Sequence, residues 1–304
     1  MKVLITGATG LIGSAIVKAC HDQAIAVHYL TTSKTKLQDQ YHYKGFYWNP
    51  SKGNIDTACF EGVDAIINLA GATIAKRWTK KCKTLILESR VEALNCLNRG
   101  LVQTKHNVKH LVSASGIGIY PSSLTKYYDE TFTEVSPTFL GDVVEHWEKA
   151  VDDIAQLGIK TSKIRIGLVL AKNGGALPQM AKPITFWAGA AFGSGDQWQS
   201  WIHIDDLARL FVYALTHQLE GIYNAVAPNP VTQTELTKAI ARALDKPLWL
   251  PNIPKGVIRL MLGKMHILLF ESQRVCSKKM ENKGFQFEFP NLEPALMDLQ
   301  GLVK

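Results

Sequence analysis

Gly7, Gly10 and Gly13 recur at every third position, directly behind the apolar run Val3-Leu4-Ile5 and at the head of a helical-period stretch, Leu11–Ala19. A strand that turns into a helix on three such glycines has few alternatives. Gly7 permits the tight turn, Gly10 lets the backbone approach a pyrophosphate, and Gly13 lets helix and strand pack closely. The helix N-terminus then presents free N–H groups and a positive dipole end to phosphate. A glycine triplet alone says little; a βαβ pattern behind it makes it a dinucleotide site. The expected contacts are Gly7, Thr9, Gly10, Leu11, Ile12 and Gly13.

The alternation continues down the chain. Apolar runs at Ile25–Leu30, Val63–Leu69, Val108–Ser113 and Lys160–Leu170 are separated by helical stretches at Thr79–Val102 and Thr138–Leu157. Strands that are apolar throughout belong to a parallel sheet covered on both faces. The fold class is therefore α/β, a doubly wound parallel sheet of the Rossmann kind, with right-handed crossovers. After Leu170 the rhythm breaks at Asn173-Gly174-Gly175 and a Gly/Trp-rich stretch from Phe186 to Trp201. A helix near Asp205 and a strand at Gly221–Ala225 return to the sheet. The division expected is a dinucleotide-binding domain of residues 1–170 and 203–229, with residues 171–202 and 230–304 as a smaller C-terminal substrate lobe.

The end of the second strand decides between the two nicotinamide cofactors. An acid there holds the ribose 2′-hydroxyl, whereas hydroxyl and basic groups accept a 2′-phosphate. This chain has Thr31, Thr32, Ser33 and Lys34, with Lys36 close behind and no acid. NADP is the expected cofactor and NAD the alternative.

With 304 residues, 46% hydrophobic and 20% charged, the chain can bury one large domain or one and a half. No apolar run approaches the ~18 residues of a membrane span, and the first strand begins almost at Met1, so neither a membrane nor a targeting segment is expected. Five scattered cysteines without a CxxC pair suggest neither disulfides nor a metal site. A reducing cytoplasm is the expected location. The formal charge of +8 is read as a solvated basic surface. Its densest run, Lys76–Lys83, matches no nucleic-acid-binding pattern, so a small molecule is the expected partner. The protein is expected to be a monomer or a homodimer.

Longer motifs carry a resemblance over essentially the whole chain. They include Thr6-Gly7-Ala8-Thr9-Gly10, Asp64–Gly71, Arg77-Trp78-Thr79, Ser89-Arg90-Val91, Ser113–Gly118, Gly193-Ser194-Gly195 and Ser200–Asp206, with Trp201 and His203 inside the last. Together these resemble the YfcH-like epimerase-family proteins, atypical short-chain dehydrogenase/reductases with a small C-terminal domain. The resemblance implies cofactor contacts at Leu69, Ala70, Gly71, Ser113 and Arg165. It also implies a substrate cleft involving Arg77, Trp78, Trp198, Trp201 and His203. Relatives place Arg before the Gln-Trp pair; this chain has Asp196, which removes an anion partner there.

The superfamily's proton-transferring Tyr and its helper Lys are missing. By the family pattern Leu140 stands at the tyrosine position and Val144 at the lysine position, and neither transfers protons. Ser115 best matches the strand-five serine that would hold a substrate oxygen, with Ser113 as the alternative. Arg90 replaces the superfamily's helix Asn; it binds an anion or the cofactor, or makes a structural ion pair. Tyr120, Tyr127 and Tyr128 follow the serine motif, with packing roles expected. Two functions remain open: an NADP(H)-dependent reductase or nucleotide-sugar-type epimerase acting on a small carbonyl or hydroxyl compound, and a non-catalytic NADP(H) sensor or scaffold.

Overall fold

The computed structural model describes residues 1–299. Seven parallel strands form its central sheet: β1 (Lys2–Thr6), β2 (Ala26–Thr31), β3 (Tyr43–Asn49), β4 (Ala65–Asn68), β5 (His110–Gly116), β6 (Lys160–Ile166) and β7 (Gly221–Ala225). Their order across the sheet is β3-β2-β1-β4-β5-β6-β7, with two short antiparallel strands on β3. The helices that flank it are α1 (Leu11–Asp22), α2 (Lys80–Gln103), α3 (Phe139–Ala155) and, later in the chain, Ile204–Thr216. Helix α1 packs against Ile204–Thr216, and α2 packs against α3. The middle strands carry the core: Leu4, Ile5, Ile66 and Ile67 are all 0% exposed. Each such side chain contributes about 1.5–3 kcal/mol by leaving water. The doubly wound parallel architecture is the one the sequence predicts.

Two elements differ from the sequence reading. Strand β3 escapes it because this strand alternates: Phe46 and Trp48 are buried, while their neighbours are only partly covered. It lies towards the sheet edge, so no continuous apolar run marks it. The expected strand Lys160–Leu170 is two strands. The chain leaves the main sheet at Gly167, whose N–H bonds Ala225 O at 3.1 Å, and Leu168–Leu170 then pairs with Trp201–His203. A Cβ at residue 167 would lie 2.3 Å from Ser200 O, so only glycine permits the crossing.

A second apolar cluster lies beyond that crossing. Leu177 and Ile184 of one helix, Leu236 and Ile240 of another, Trp201, Ala227, and Leu296 of Leu292–Asp298 fill it. No helix among the described residues is long and apolar enough to cross a membrane.

Candidate functional site

The strand order reverses between β1 and β4, and there the crossovers on either side diverge and leave a crevice at the carboxyl ends of the strands. The glycine turn sits at its mouth. Gly7 has φ +72°, and a Cβ there would lie 3.1 Å from Leu69 O. The Gly10 N–H donates to Gly7 O at 3.0 Å and closes the turn. A Cβ on Gly13 would stand 2.1 Å from Gly7 O, so α1 can press against the turn only without one. Gly10 begins α1 with no side chain capping it and no acid in the first turn. Thr9 and Gly10 are exposed, and Leu11 and Ile12 half-buried, with Leu11 against Gly174 and Gly175. The free N–H groups of α1 thus meet no competing anion of the helix itself, which fits a pyrophosphate.

A buried polar row braces the opposite wall. Thr6, Asn68 and Ser113 are register partners on β1, β4 and β5. The Thr6 hydroxyl donates to Asn68 Oδ1 at 2.7 Å and accepts the N–H groups of Leu69 and Ala70 at 3.0 and 3.1 Å. Asn68 Nδ2 donates to Ser113 Oγ at 3.0 Å, and Ser113 donates to Ala114 O. The segment Leu69–Gly71 is therefore fixed at its root. Ser113, expected as a cofactor contact, is fully buried in this row and acts as a strut beneath the crevice. Thr6 and Asn68 were missed in the sequence; polar side chains ending otherwise apolar strands were the available signal.

At the end of β2, Thr31 is buried and its hydroxyl accepts the Ser33 N–H at 3.2 Å. Ser33 and Thr35 hydroxyls lie 2.8 Å apart. Thr32 and Lys34 are exposed, and the Lys34 ammonium stands 5.3 Å from the Tyr47 ring centre on β3. The rim offers hydroxyls and a cation, as a 2′-phosphate requires.

Arg90 of α2 reaches this crevice. Its guanidinium donates to Ile86 O at 2.7 Å and Ala72 O at 3.2 Å, and lies 4.9 Å from the Trp147 ring centre. A Cβ on Gly71 would meet it at 3.0 Å. No carboxylate pairs with it among the described residues, so burial alone acts and lowers its pKa to about 10. The structural ion pair is thus excluded for Arg90 among these residues. The guanidinium is thus held by two backbone carbonyls and an aromatic face, with no counter-charge of its own among the described residues.

Comparison with known proteins agrees with this geometry. A profile described as "NAD dependent epimerase/dehydratase family" matches residues 3–141 and 158–225, and a domain of unknown function, DUF1731, matches residues 253–299. The chain belongs to the NAD dependent epimerase/dehydratase family. An epimerase family protein of Staphylococcus saprophyticus is 37% identical, across 97% of this chain and 98% of its own. The crystal structure of human epimerase family protein SDR39U1 (isoform 2) with NADPH superposes with a TM-score of 0.85 at 29% identity, covering 98% of this chain and 99% of the human one. A Thermus thermophilus UDP-glucose 4-epimerase solved with NAD shares the fold at 18% identity, with a TM-score of 0.77 over the whole of both chains. Within the epimerase/dehydratase family, the matches place this chain with the YfcH-like atypical short-chain dehydrogenase/reductases.

In this family member apolar side chains line the end of the crevice next to α3. Val144 and Leu140 of α3 face Gly116 and Gly118, where added Cβ atoms would lie 3.6 and 3.1 Å from them. The helix therefore meets the strand-five loop with two apolar side chains. Ser115 donates to Glu148 Oε1 at 2.6 Å. Arg165 grips the same carboxylate through Nε at 2.9 Å and Nη2 at 3.0 Å, and donates to the Tyr120 hydroxyl at 3.0 Å. Tyr120 donates onward to Asn224 Oδ1 at 2.8 Å. Burial pushes the Glu148 carboxyl up, but Arg165 and Ser115 more than offset it and the net direction is down. Arg165, expected beside the cofactor, is instead the buried cation of this network, because β6 pairs it in register with Ser115 above the acid. Tyr120 is locked into the same network.

The expected substrate residues scatter. Arg77 is exposed. Trp78 is buried against Phe139, its indole N–H donating to Ile74 O at 2.9 Å, just ahead of the helix-capping Thr79. Trp198 is half-buried, with Arg274 stacked 4.3 Å from its ring. Two expectations are corrected. Trp201 is 0% exposed in the second apolar cluster, its indole N–H donating to Asn229 O, so no substrate reaches it. His203 is also fully buried: its Nδ1 accepts the Asp205 N–H at 3.1 Å and caps the next helix. Its Nε2 lies 3.3 Å from Asp298 Oδ2. Since Nδ1 accepts, Nε2 carries the proton, and this His/Asp/Asp cluster presents no free imidazole lone pair to a metal.

Proposed function

We propose that the chain is an NADP(H)-dependent oxidoreductase that reduces a small carbonyl compound or oxidises the corresponding alcohol. The observation that carries this reading is the uncapped, acid-free start of α1 facing the crevice beside the acid-free rim Thr31–Lys34. The human relative with NADPH supports the choice of NADP over NAD. The residues proposed to hold the dinucleotide are Gly7, Thr9, Gly10, Leu11, Ile12 and Gly13 at the pyrophosphate, Thr31–Lys34 at the 2′-phosphate, and Leu69–Gly71 along the crevice wall.

A bound dinucleotide would supply or accept the hydride. The chain's own contribution is orientation: Ser115, held by Glu148, offers its oxygen lone pairs and no spare proton, and Arg90 holds an anion. One proton per turnover must then come from water. That requirement favours reduction over epimerisation, which needs a proton acceptor as the hydride leaves and a donor as it returns. Leu140 and Val144 also favour a second reading, a dinucleotide sensor without turnover. The five free cysteines support a reducing cytoplasm as its proposed location.

The test is titration of the purified protein with NADPH and NADH, then loss of nicotinamide absorbance across a panel of aldehydes and ketones. Tighter NADPH binding and substrate-dependent oxidation are expected. Tighter NADH binding overturns the cofactor assignment; tight NADPH without oxidation by any carbonyl selects the sensor.

A further inference from the structure

A cavity of about 500 Å³ is walled by Lys83 of α2, by Thr138 and Phe139 where α3 begins, and by Arg259, Lys264 and His266. Helix α7 (Lys255–Leu262, with α4, α5 and α6 at Ala176–Thr185, Ile204–Thr216 and Gln233–Ala243) supplies Arg259. Among the described residues no aspartate or glutamate lines the cavity, and the nearby Glu271 carboxylate is occupied by the side chains of Thr138 and Gln273. Lys83, Arg259 and Lys264 make no ion pair among the described residues. The Lys83 ammonium is held over the Phe139 ring, 4.4 Å from its centre. Cations gathered at one opening with no acid among them raise the local concentration of anions there.

Position adds to charge. Helices α2 and α3 follow β4 and β5, so their first turns stand at the carboxyl edge of the sheet, where open α/β sheets take ligands. Phe139 precedes Leu140, which lies against the loop after β5. Phe139 and Ile267 give the cavity an apolar wall, and both pack against the cluster of Trp78, Ile86 and Val143. Basic rim and apolar wall together suit a small molecule with a charged head. A guanidinium and two ammonium groups lining one cavity match a multiply charged phosphoryl group better than a lone carboxylate.

We propose that this cavity is an oxyanion subsite that seats a phosphoryl group of the substrate, with Lys83, Arg259 and Lys264 as its ligands. Only the word substrate rests on the oxidoreductase reading; the anion site stands on the cavity itself. The test is calorimetric titration of NADPH-saturated protein with inorganic pyrophosphate at low salt, repeated with an Arg259→Gln/Lys264→Gln variant. Both side chains are exposed, so the fold tolerates the change. Saturable one-site binding, weakened tenfold or more in the variant with NADPH affinity unchanged, is the expected result. No saturable binding overturns the proposal, as does equal binding by the variant. Sedimentation with phosphatidate vesicles but no uptake of free pyrophosphate also overturns it, by moving the anion to a lipid surface. If the protein proves not to bind NADPH, the same titration without it still reads the cavity, so the two failures are distinguishable.

Discussion

Ser115 and Glu148 are joined by a 2.6 Å hydrogen bond from hydroxyl to carboxylate, both side chains buried at the end of β5 and on α3. Because Arg165 closes on the same carboxylate, removing the acid leaves a buried guanidinium without its counter-charge. Glu148→Ala should destabilise the fold by about 3–5 kcal/mol, read by urea denaturation. A loss below about 1 kcal/mol would mean that the pair is open to water.

The same acid sets a pH dependence. Its carboxyl is held below the ordinary value of about 4.3. Its contribution is thus fully present above about pH 4.3 and fades as pH falls through the lower folded-state value. Stability of the wild type should rise with pH across that window more steeply than that of Glu148→Gln. Glu271, raised by burial, acts in the opposite sense in both proteins and cancels in the comparison. Identical acid limbs would refute the assignment.

Gly10 and Gly13 should separate binding from folding. A side chain on Gly13 meets Gly7 O at 2.1 Å, so Gly13→Ala should cost about 1–3 kcal/mol through overpacking. Gly10 is exposed on the ligand side. Gly10→Val should therefore weaken NADPH binding at least tenfold with little change in melting temperature, as fluorescence titration and thermal melts would show.

Lys34→Asp places a carboxylate where the 2′-phosphate is proposed to lie. NADPH affinity should fall tenfold or more while NADH affinity holds or improves. Equal losses for both dinucleotides would show that the turn does not read the 2′ position.

Arg90→Met should leave stability unchanged or slightly higher, because the guanidinium is half-buried without a carboxylate. Binding of the dinucleotide or of an anionic substrate should weaken at least tenfold. A large stability loss with intact binding would return Arg90 to a packing role.

How much of this was legible in the sequence follows from how locally each feature is encoded. The glycine turn and the buried parallel strands are written in consecutive residues, so fold and phosphate turn could be read directly. Strand β3 is not, since its inward face is carried by Phe46 and Trp48 amid polar neighbours. Residue types alone could not tell that Arg165 and Ser113 turn inward, because their partners, Glu148 and Asn68, are 17 and 45 positions away. Trp201 and His203 misled for a related reason: an unusual motif marks a demanding position, and here the demand is a lobe core and a helix cap. The basic cavity was invisible because Lys83 and Arg259 meet only through the fold.

The glycine crossing at residue 167 has a mechanical consequence. Within a few residues the backbone is stitched to both regions, through Gly167 N–H to Ala225 O, Leu168 N–H to Ser200 O and Ala227 N–H to Trp201 O. A separation along that line would have to break these bonds, whose acceptors Ala225, Ser200 and Trp201 are buried. The expected consequence is that the two apolar clusters melt together, with calorimetry recording a single transition for the whole chain.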